Sequence, residues 1–265
     1  MGTTLKLAIT GAAGRMGQRL IALARADGAF EIIAATERPD HPALARDAGE
    51  LAGTGPIGVP LTVDMRPTPD VLIDFTSPVS TRHWLKTCRD RGIPMVIGTT
   101  GLKEKDIEAI EIASAGIPIV QSPNMSLGVN LLLKVVADVS KRLGDDYDIE
   151  IVEGHHHHKK DAPSGTAFAL ADSILTATGK KRDSLLHGRH GDNALRKRGE
   201  IGMHSLRLGD EVGKHTIYFA APGERLEFGH VATSRDTFAH GALRAAKWIT
   251  HQKPGRYTLA DVLGL

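Results

Sequence analysis

The sequence predicts an α/β protein of two domains, an N-terminal doubly wound parallel sheet and a C-terminal α+β domain with a mostly antiparallel open sheet. Two observations predict this. Short apolar runs alternate with amphipathic stretches of helical length up to about residue 126. Three strand-like runs then follow one another late in the chain with only short, turn-rich links. We expect residues 1–126 with 236–265 to form the first domain, and residues 127–235 the second.

The first half contains five apolar runs of four to seven residues that are rich in strand formers. The helical stretch after the first run carries Met16, Leu20, Leu23 and Ala24 on one stripe. Such alternation is typical of a parallel sheet with helices on both faces. Residues 38–60, rich in proline, glycine and alanine, are expected to be irregular. The predicted strands are residues 5–10, 30–36, 71–75, 94–97 and 117–121.

The second half begins with a long predicted helix over residues 127–143 and an alternating strand over residues 148–153. The links between the three later strands are short enough for antiparallel hairpins. A last helix over about residues 235–250 is expected to return to the first domain. The three later strands are predicted at residues 201–208, 215–221 and 225–232.

Composition and charge argue against several classes of protein. The chain has 265 residues, a net charge of +2 and 4% aromatic residues, which disfavours binding to nucleic acid through charge or base stacking. No apolar run approaches the roughly 20 residues that cross a bilayer, so no membrane association is expected. Cys88 is the single cysteine, which excludes an internal disulfide and suits a reducing cytoplasm.

A glycine turn directly after the first strand is the first chemical signal. Small residues at such a turn let a pyrophosphate approach the N-terminus of the following helix. Glu37 ends the second strand, where an acidic side chain accepts hydrogen bonds from ribose hydroxyls, and Arg38 beside it can meet a 2′-phosphate. The alternative is an ordinary surface pair at a strand end; with the turn, these residues predict a Rossmann-like domain for NADH or NADPH. The predicted contacts in the turn are Gly11, Ala12, Ala13, Gly14, Arg15 and Met16.

Two further loops follow predicted strands at the same edge of the sheet, where ligands bind in proteins of this class. Their small and polar residues are expected to border the nicotinamide, although ordinary turn chemistry explains them equally well. The predicted contacts in these loops are Gly98, Thr99, Thr100, Ser122, Pro123, Asn124 and Met125.

A run of histidines and lysines at the end of a predicted strand is the sharper signal. It begins at His155 and leads to a helix start at Ser164. The first N–H groups of that helix, from Gly165 and Thr166, together with the cationic side chains, suit a substrate that carries a carboxylate. Histidine is also the side chain that gives and takes protons near neutral pH.

Four consecutive histidines also raise the question of a metal ion. Side chains on an extended strand alternate between its two faces, so at most two of the four point the same way. Cysteine is absent from this segment and the adjacent lysines repel a cation, so no dedicated metal site is predicted. Weak binding of zinc or nickel is compatible with the histidine run. A second alternative is a solvated patch of charge without a function, but it does not explain why a helix start suited to an anion follows the run.

These motifs resemble those of the dihydrodipicolinate reductases of bacterial lysine biosynthesis, over nearly the whole chain. The segment from His155 to Ala167 resembles the family's signature, and the segment from Gly11 to Gly17 resembles its cofactor turn. Several independent stretches in the same order are more specific than any one of them. The shorter stretches that fall where the family has them are residues 37–38, 74–76, 98–101, 123–126, 223–227 and 234–242.

The resemblance implies reduction of 4-hydroxy-tetrahydrodipicolinate to tetrahydrodipicolinate with loss of water, by NADH or NADPH, in the diaminopimelate route to lysine. By matching position, His155 would donate or accept a proton and Lys159 would be a second proton donor. His156 would contact a cyclic dicarboxylate, and the N–H groups of Gly165 and Thr166 would hold one of its carboxylates. The first domain would then bind the dinucleotide, and the second would bind substrate and assemble a homotetramer.

Two other functions remain open at this point. A related two-domain enzyme, such as an aspartate or homoserine dehydrogenase, would keep the glycine turn but would not require the segment at residues 161–166. A non-catalytic dinucleotide sensor would bind NADH and turn over nothing, and it would have no need of proton donors at His155 and Lys159. Binding of pyridine-2,6-dicarboxylate distinguishes a reductase from such a sensor.

Overall fold

The computed structural model describes residues 4–265, which form two compact units. Unit 1 runs to Leu127 and takes in Asp236–Leu265, and unit 2 comprises Gly128–Arg235. Each unit has its own sheet and its own hydrophobic core. Among the residues described, no helix combines the length and the apolar character that crossing a membrane requires.

The strands predicted for the first half all form, with ends within one residue of the prediction, and residues 38–60 are irregular apart from one short helix. The strands are β1 (Leu5–Thr10), β2 (Phe30–Thr36), β3 (Leu61–Thr62), β4 (Val71–Asp74), β5 (Met95–Ile97), β6 (Pro118–Gln121), β7 (Asp148–His155), β8 (Leu185–His187), β9 (Ile201–Arg207), β10 (Gly213–Ala221), β11 (Glu224–Ala232) and β12 (Gly255–Tyr257). The helices are α1 (Arg15–Asp27), α2 (Ala48–Leu51), α3 (Pro78–Arg91), α4 (Glu104–Ser114), α5 (Leu127–Leu143), α6 (Gly165–Thr178), α7 (Asp236–Ile249) and α8 (Leu259–Leu263).

The sheet of unit 1 has seven strands in the order β12-β6-β5-β4-β1-β2-β3, and every pairing is parallel. The predicted Rossmann-like sheet is therefore confirmed. β1 lies between β2 and β4, so the chain reverses its direction of winding at β1. In open sheets of this kind, ligands bind beside the carboxyl ends of the strands at that point.

Helices cover both faces of this sheet, which explains why its strands are apolar throughout. Leu7 and Ile9 of β1 point into one buried cluster, which includes residues of α1 and α7. Ala8 points the other way, into a second cluster with residues of α3 and α4. Burial on both sides fixes the register of β1 and therefore the place where the glycine turn begins.

The sheet of unit 2 is mixed, which corrects the prediction of a mostly antiparallel one. Its order is β11-β10-β7-β9-β8, with β7 in the centre. β10 pairs antiparallel with β11 and with β7, whereas β9 pairs parallel with β7 and with β8. The predicted hairpin between β10 and β11 is confirmed. The predicted hairpin between β9 and β10 is wrong, because β7 lies between these two strands.

The link between β9 and β10 crosses the end of β7 instead of turning back. Passing over one strand requires about 9.6 Å, twice the spacing of neighbouring strands, and the five residues 208–212 cover that distance easily. Two backbone hydrogen bonds fix the crossing: Leu208 N–H donates to His155 O at 2.8 Å, and His157 N–H donates to Gly209 O at 3.1 Å. The crossing brings this link beside the histidine run.

One face of the second sheet carries the core of unit 2. Ile149 and Ile151 of β7 pack there with Ile217 and Phe219 of β10 and with residues of α5 and α6. Because both long helices of the unit lie on that face, the opposite face, which includes Val152, has no helix of unit 2 over it among the described residues.

Candidate active site

The glycine turn joins β1 to α1 in a shape that requires glycine at two positions. Gly11 has φ +63°, in the left-handed region, and a Cβ there would lie 2.8 Å from Thr76 Cγ2. A Cβ on Gly17 would lie 2.2 Å from the carbonyl oxygen of Gly11. Gly14 caps α1 and offers no side chain that would compete with a ligand for the first N–H groups of the helix.

Glu37 and Arg38 lie beside this turn, just after β2. The Glu37 carboxylate accepts hydrogen bonds from Ala13 N–H at 3.2 Å and from Arg38 N–H at 3.1 Å. The Arg38 side chain is 64% exposed, with its Nε 3.5 Å from the Asp40 carboxylate. A cavity of about 580 Å³ opens here, and its lining includes Gly11, Glu37 and Arg38. A glycine turn, an uncovered helix start and an acidic group around one cavity fit a dinucleotide.

The loop after β5 is held by internal hydrogen bonds. Thr99 is buried, and its hydroxyl accepts from Thr76 N–H at 2.9 Å and donates to the Asp74 carboxylate at 3.0 Å. Gly98 packs so closely on Phe75 that a Cβ would lie 2.3 Å from the ring. The side chain of Thr99 is therefore turned into the protein, so any contact this residue makes with a cofactor comes from its backbone.

The loop after β6 is likewise folded on itself. The Ser122 hydroxyl donates to Asn124 O at 2.8 Å, and Ser126 N–H donates to Asn124 Oδ1 at 2.9 Å. The carbonyl of Met125 lies against α7, where a Cβ on Gly241 would come within 1.7 Å of it. The predicted contacts that do not line the 580 Å³ cavity are Ala12, Ala13, Arg15 and Met16 of the glycine turn and Gly98, Thr99, Thr100, Ser122, Pro123, Asn124 and Met125 of the two loops.

In unit 2, His155 is the last residue of β7, and its imidazole is paired with a buried carboxylate. Glu153 lies two residues earlier on the same face of the strand, and its Oε2 is 2.5 Å from His155 Nδ1. Both residues are buried. A carboxylate on Nδ1 fixes the orientation of the ring and leaves Nε2 as the ring nitrogen available for proton exchange.

Arg207 of β9 holds the other oxygen of the same carboxylate. It donates to Glu153 Oε1 at 3.0 Å. Burial raises the pKa of the Glu153 carboxyl group, but hydrogen bonds from Ser205, His155 and Arg207 outweigh that effect and keep it below its ordinary value. Arg207 also donates to Asp161 O at 2.5 Å, so one guanidinium ties the histidine–carboxylate pair to the following loop.

The loop after β7 carries the next predicted side chains. Lys159 Nζ lies 2.9 Å from Asp161 Oδ1, and this hydrogen bond lowers the pKa of Asp161. Burial, followed by the positive charges around it, lowers the pKa of His156 and favours its neutral form. His157 donates from Nδ1 to Gly209 O at 2.8 Å and anchors the loop to the link between β9 and β10.

The four consecutive histidines do not converge on one point. His155 faces Glu153 inside the unit, whereas His157 binds the neighbouring link and stacks near His158, with ring centres 3.8 Å apart. Within residues 4–265, no group of three or more histidine, cysteine, aspartate or glutamate side chains is arranged to hold a metal ion.

The start of α6 forms the third part of the site. Ser164 is its N-cap residue, and the hydroxyl oxygen accepts from Ala167 N–H at 3.2 Å. Gly165 and Thr166 are the first two residues of the helix, and a Cβ on Gly165 would meet nothing within 4 Å. The positive end of the helix dipole adds to the attraction for an anion. His215 of β10 supports the cap, with Nε2 3.1 Å from Ser164 Oγ.

His215 predicts a specific dependence of stability on pH. Burial, followed by the nearby charge of His155, lowers the pKa of His215 to about 4. A histidine in the unfolded chain titrates near pH 6.5, so between about pH 6.5 and 4 the unfolded chain binds a proton that the folded protein does not. Above pH 6.5 this difference has no effect on stability, and we expect the free energy of unfolding to fall by about 3 kcal/mol as the pH falls from 6.5 to 4.

The variant His215→Gln isolates that contribution from those of the other histidines. Urea denaturation at a series of pH values should give the variant a shallower fall in the free energy of unfolding between pH 6.5 and 4. Equal slopes for the two proteins would show that His215 does not titrate as its burial predicts.

Sequence patterns did not predict Glu153, Arg207 or His215. Glu153 does have a signal, because it continues the apolar face of Ile149 and Ile151 in the alternating strand, and an acid on a buried face needs a partner. Arg207 and His215 have no local signal. They reach the site from β9 and β10, whose positions on either side of β7 were not predicted.

The chain matches known proteins over nearly its whole length. The family profile described as dihydrodipicolinate reductase, N-terminus, matches residues 5–125, and the one described as dihydrodipicolinate reductase, C-terminus, matches residues 128–263. The 4-hydroxy-tetrahydrodipicolinate reductase of Alkalilimnicola ehrlichii is 48% identical over 267 residues, 99% of this chain and 100% of that protein. The protein of the same name from Geotalea daltonii is also 48% identical, over 98% of this chain and 99% of its own.

A solved structure shares the fold. The dipicolinate-bound dihydrodipicolinate reductase from Paenisporosarcina sp. TG-14 aligns with 98% of this chain and 99% of its own, with a TM-score of 0.79 and 23% sequence identity. At that identity the likeness concerns the fold, and it agrees with a parallel sheet and a mixed sheet on one chain.

Proposed function

The chain belongs to the dihydrodipicolinate reductase family, and we propose that it reduces 4-hydroxy-tetrahydrodipicolinate to tetrahydrodipicolinate, with loss of water, in the diaminopimelate route to lysine. The observation that carries this proposal is the presence of His155, Lys159 and the start of α6 within one stretch, residues 155–166. Reduction of a cyclic dicarboxylate requires proton donors and a site for carboxylates, and this stretch offers both.

The start of α6 supports a dicarboxylate as the substrate class. The N–H groups of Gly165 and Thr166 would hold one carboxylate at the positive end of the helix. His156 would contact the substrate, and the ammonium group of Lys159 adds positive charge close by. The Paenisporosarcina protein carries dipicolinate, which is itself a cyclic dicarboxylate.

Proton transfer is assigned to His155 and Lys159. A hydride brings two electrons and no proton, so a side chain must balance the charge that develops on the substrate. Because Glu153 occupies Nδ1 of His155, the proton is exchanged at Nε2. Lys159 is the second donor, and its contact with Asp161 holds the ammonium group in place. Two donors suit a reaction in which one proton accompanies the hydride and another moves when the hydroxyl leaves as water.

The residues of unit 1 are suited to binding a nicotinamide dinucleotide, which supplies the hydride when it is bound. Residues 11–16 would bind the pyrophosphate at the start of α1, and Glu37 would accept hydrogen bonds from the adenosine ribose. Residues 98–100 and 122–125 are proposed to border the nicotinamide, Thr99 through its backbone because its hydroxyl is already engaged.

The residues after β2 suit both NADH and NADPH, and a variant of Arg38 tests whether this arginine contributes to the binding of NADPH. Only NADPH has a 2′-phosphate for the exposed guanidinium to meet. We expect Arg38→Ala to raise the KM for NADPH about tenfold and to leave that for NADH within about twofold. Steady-state kinetics with each cofactor measure the difference, and Arg46→Ala, at another exposed arginine of unit 1, is the control. An equal loss with both cofactors would contradict the role of Arg38.

We further propose that unit 2 assembles a homotetramer through the open face of its sheet. Leu206 and Val231 lie on that face with 44% and 52% of their surface exposed, and the half-buried Val152 lies between their strands. An apolar sheet face of this kind favours a protein partner. Sedimentation velocity should give a mass about four times the 28.4 kDa of one chain. A monomer at micromolar concentration would contradict the proposal.

The single cysteine supports a cytoplasmic location for this function. Burial, followed by the nearby Asp74 carboxylate, raises the pKa of the Cys88 thiol to about 12, so the thiol stays protonated and unreactive. A chain whose one thiol is buried has no disulfide to form and suits a reducing compartment. Recovery of the native protein in the membrane or secreted fraction of its cells would contradict this location.

Pyridine-2,6-dicarboxylate tests the substrate class directly. It should raise the melting temperature and compete with the substrate, because a ligand that binds only the folded state stabilises it. Pyridine-2-carboxylate, with one carboxylate fewer, is the matched control and should be the weaker ligand. A protein that binds NADH but ignores the dicarboxylate would instead be a sensor or a different dehydrogenase.

A further inference from the structure

A carboxylate surrounded by hydroxyl groups is buried at the carboxyl edge of the sheet in unit 1. Asp74 is the last residue of β4 and has no accessible surface. The hydroxyls of Thr10 and Thr76 donate to its Oδ1 at 2.8 and 2.6 Å. Those of Thr81 and Thr99 donate to its Oδ2 at 2.5 and 3.0 Å. Two hydroxyls on each oxygen fill the four acceptor positions of the carboxylate group.

The four threonines come from four different parts of unit 1. Thr10 ends β1, Thr76 follows β4, Thr81 lies in the first turn of α3, and Thr99 follows β5. One side chain therefore joins three neighbouring strand ends and the start of a helix. These strand ends are the edge at which an open parallel sheet binds its ligand.

Two of the threonines connect Asp74 to the cavity beside the glycine turn. Thr76 lines that cavity. Its methyl group lies so close to Gly11 that a Cβ on Gly11 would be 2.8 Å from Thr76 Cγ2. Thr99 does not line the cavity, but it accepts a hydrogen bond from the backbone N–H of Thr76. A shift of either hydroxyl would therefore displace the backbone that shapes the cavity.

We propose that Asp74 is a positioning residue for the nucleotide cavity. It holds the ends of β1, β4 and β5 in the arrangement that accepts a dinucleotide, and it does so from beneath, without touching the ligand. The inference rests on the proposed use of unit 1 as the cofactor site. A purely structural carboxylate would change stability alone, whereas a positioning residue changes the affinity of the folded protein for the nucleotide.

Asparagine at this position keeps the shape of the side chain but not its acceptors. The amide has one acceptor oxygen and two N–H donors, so two threonine hydroxyls would face donors. When the amide nitrogen takes the place of Oδ2, Thr99 cannot adapt by rotation of its hydroxyl, because its oxygen already accepts from Thr76 N–H and its own hydrogen would be buried without an acceptor. When the nitrogen takes the place of Oδ1, the hydroxyls of Thr10 and Thr76 face the donors instead.

The experiment measures two affinities of the folded Asp74→Asn variant. Fluorescence titration with NADH should give a Kd at least about tenfold higher than that of the wild type. Titration with pyridine-2,6-dicarboxylate should give an unchanged Kd, because the residues proposed to bind it all lie in unit 2. Circular dichroism and the melting temperature establish that the variant is folded under the conditions of the titration.

Asp47→Asn is the matched control. The Asp47 carboxylate also accepts hydrogen bonds from four groups in unit 1, all of them backbone N–H groups between 2.7 and 3.2 Å away. None of its donors lines the cavity. This variant should lose stability and keep its affinity for NADH within about twofold of the wild type. The four donors are Gly49, Glu50, Ile57 and Gly58.

A second pair of variants keeps the test decisive if Asp74→Asn does not fold. Thr81 donates to Asp74 from α3 and does not line the cavity. Thr81→Val should weaken NADH binding several-fold, and Thr81→Ser, which restores the hydroxyl, should recover it. Equal NADH affinity in wild type and folded Asp74→Asn, or in both Thr81 variants, would overturn the inference. A wild-type protein that binds no NADH would overturn the proposed cofactor site, and the inference with it.

Discussion

Replacing His155 by alanine is expected to lower kcat about 10³-fold and to leave the affinity for NADH unchanged. The imidazole is the group proposed to exchange the proton, and its orientation depends on the carboxylate of Glu153, which Arg207 holds in turn. The residues proposed to bind the cofactor all lie in unit 1, so the variant loses proton transfer without losing the nucleotide. Steady-state kinetics and a fluorescence titration with NADH measure the two quantities.

Two further variants separate chemistry from folding at this position. His155→Asn keeps a side-chain donor for Glu153 and should be as inactive as the alanine variant while melting closer to the wild type. His158→Ala removes an exposed histidine of the same loop and should retain most of the activity. Comparable losses in His155→Ala and His158→Ala, or a loss of NADH binding in the former, would contradict the assignment of His155.

Replacing Lys159 by methionine is expected to lower kcat/KM for the dicarboxylate between about 10²- and 10⁴-fold. The change removes the proposed proton donor and a positive charge while keeping the length of the side chain. Asp161 loses the hydrogen bond that lowers its pKa, and its carboxylate, 61% exposed, is left to the solvent. Part of the loss should therefore appear as a higher KM for the substrate and the larger part as a lower kcat.

Lys160→Met is the control for the charge of the loop. Lys160 is the exposed neighbour of Lys159, and its replacement by methionine removes the same charge from the same segment. Steady-state kinetics should show a change of no more than about threefold for this variant. If the two lysine variants lose activity to the same extent, Lys159 acts only through the general charge of the loop and is not a proton donor.

The parallel sheet was predictable because each of its long strands is buried on both faces. A run such as residues 30–36 must then be apolar throughout, and glycine or proline marks its ends. β3 and β12, of two and three residues, lie at the edges of the sheet and are too short to carry such a pattern. The positions of these two strands depend on the strands they pair with, and the local sequence carries no signal for that pairing.

The second sheet was only partly predictable, because strand order is a tertiary property. The turn between β10 and β11 allows only a hairpin, and that hairpin forms. The link at residues 208–212 is compatible with a hairpin and with a crossing over one strand, and its residues do not distinguish the two. With β7 in the centre, the strand that carries His155 receives side chains from β9 and β10 on either side.

The candidate proton donors stand out in the sequence, and the residues that hold them in place do not. His155 and Lys159 stand in a conspicuous run, whereas their partners Glu153 and Arg207 are single charged residues within strands. Asp74 has no signal in the sequence beyond a stretch that resembles the family, and its four hydroxyl donors are scattered from residue 10 to residue 99. Networks of this kind are defined by the fold, not by spacing.

The measurement that tests the central claim most directly is a coupled assay of the reductase reaction. Pyruvate and aspartate semialdehyde, with a dihydrodipicolinate synthase, generate the unstable substrate in place, and the absorbance of reduced nicotinamide is followed after this protein is added. We expect a rapid fall that depends on every component and occurs with both NADH and NADPH. If no fall occurs while the protein still binds NADH, then residues 155–166 do not carry out the proposed reduction.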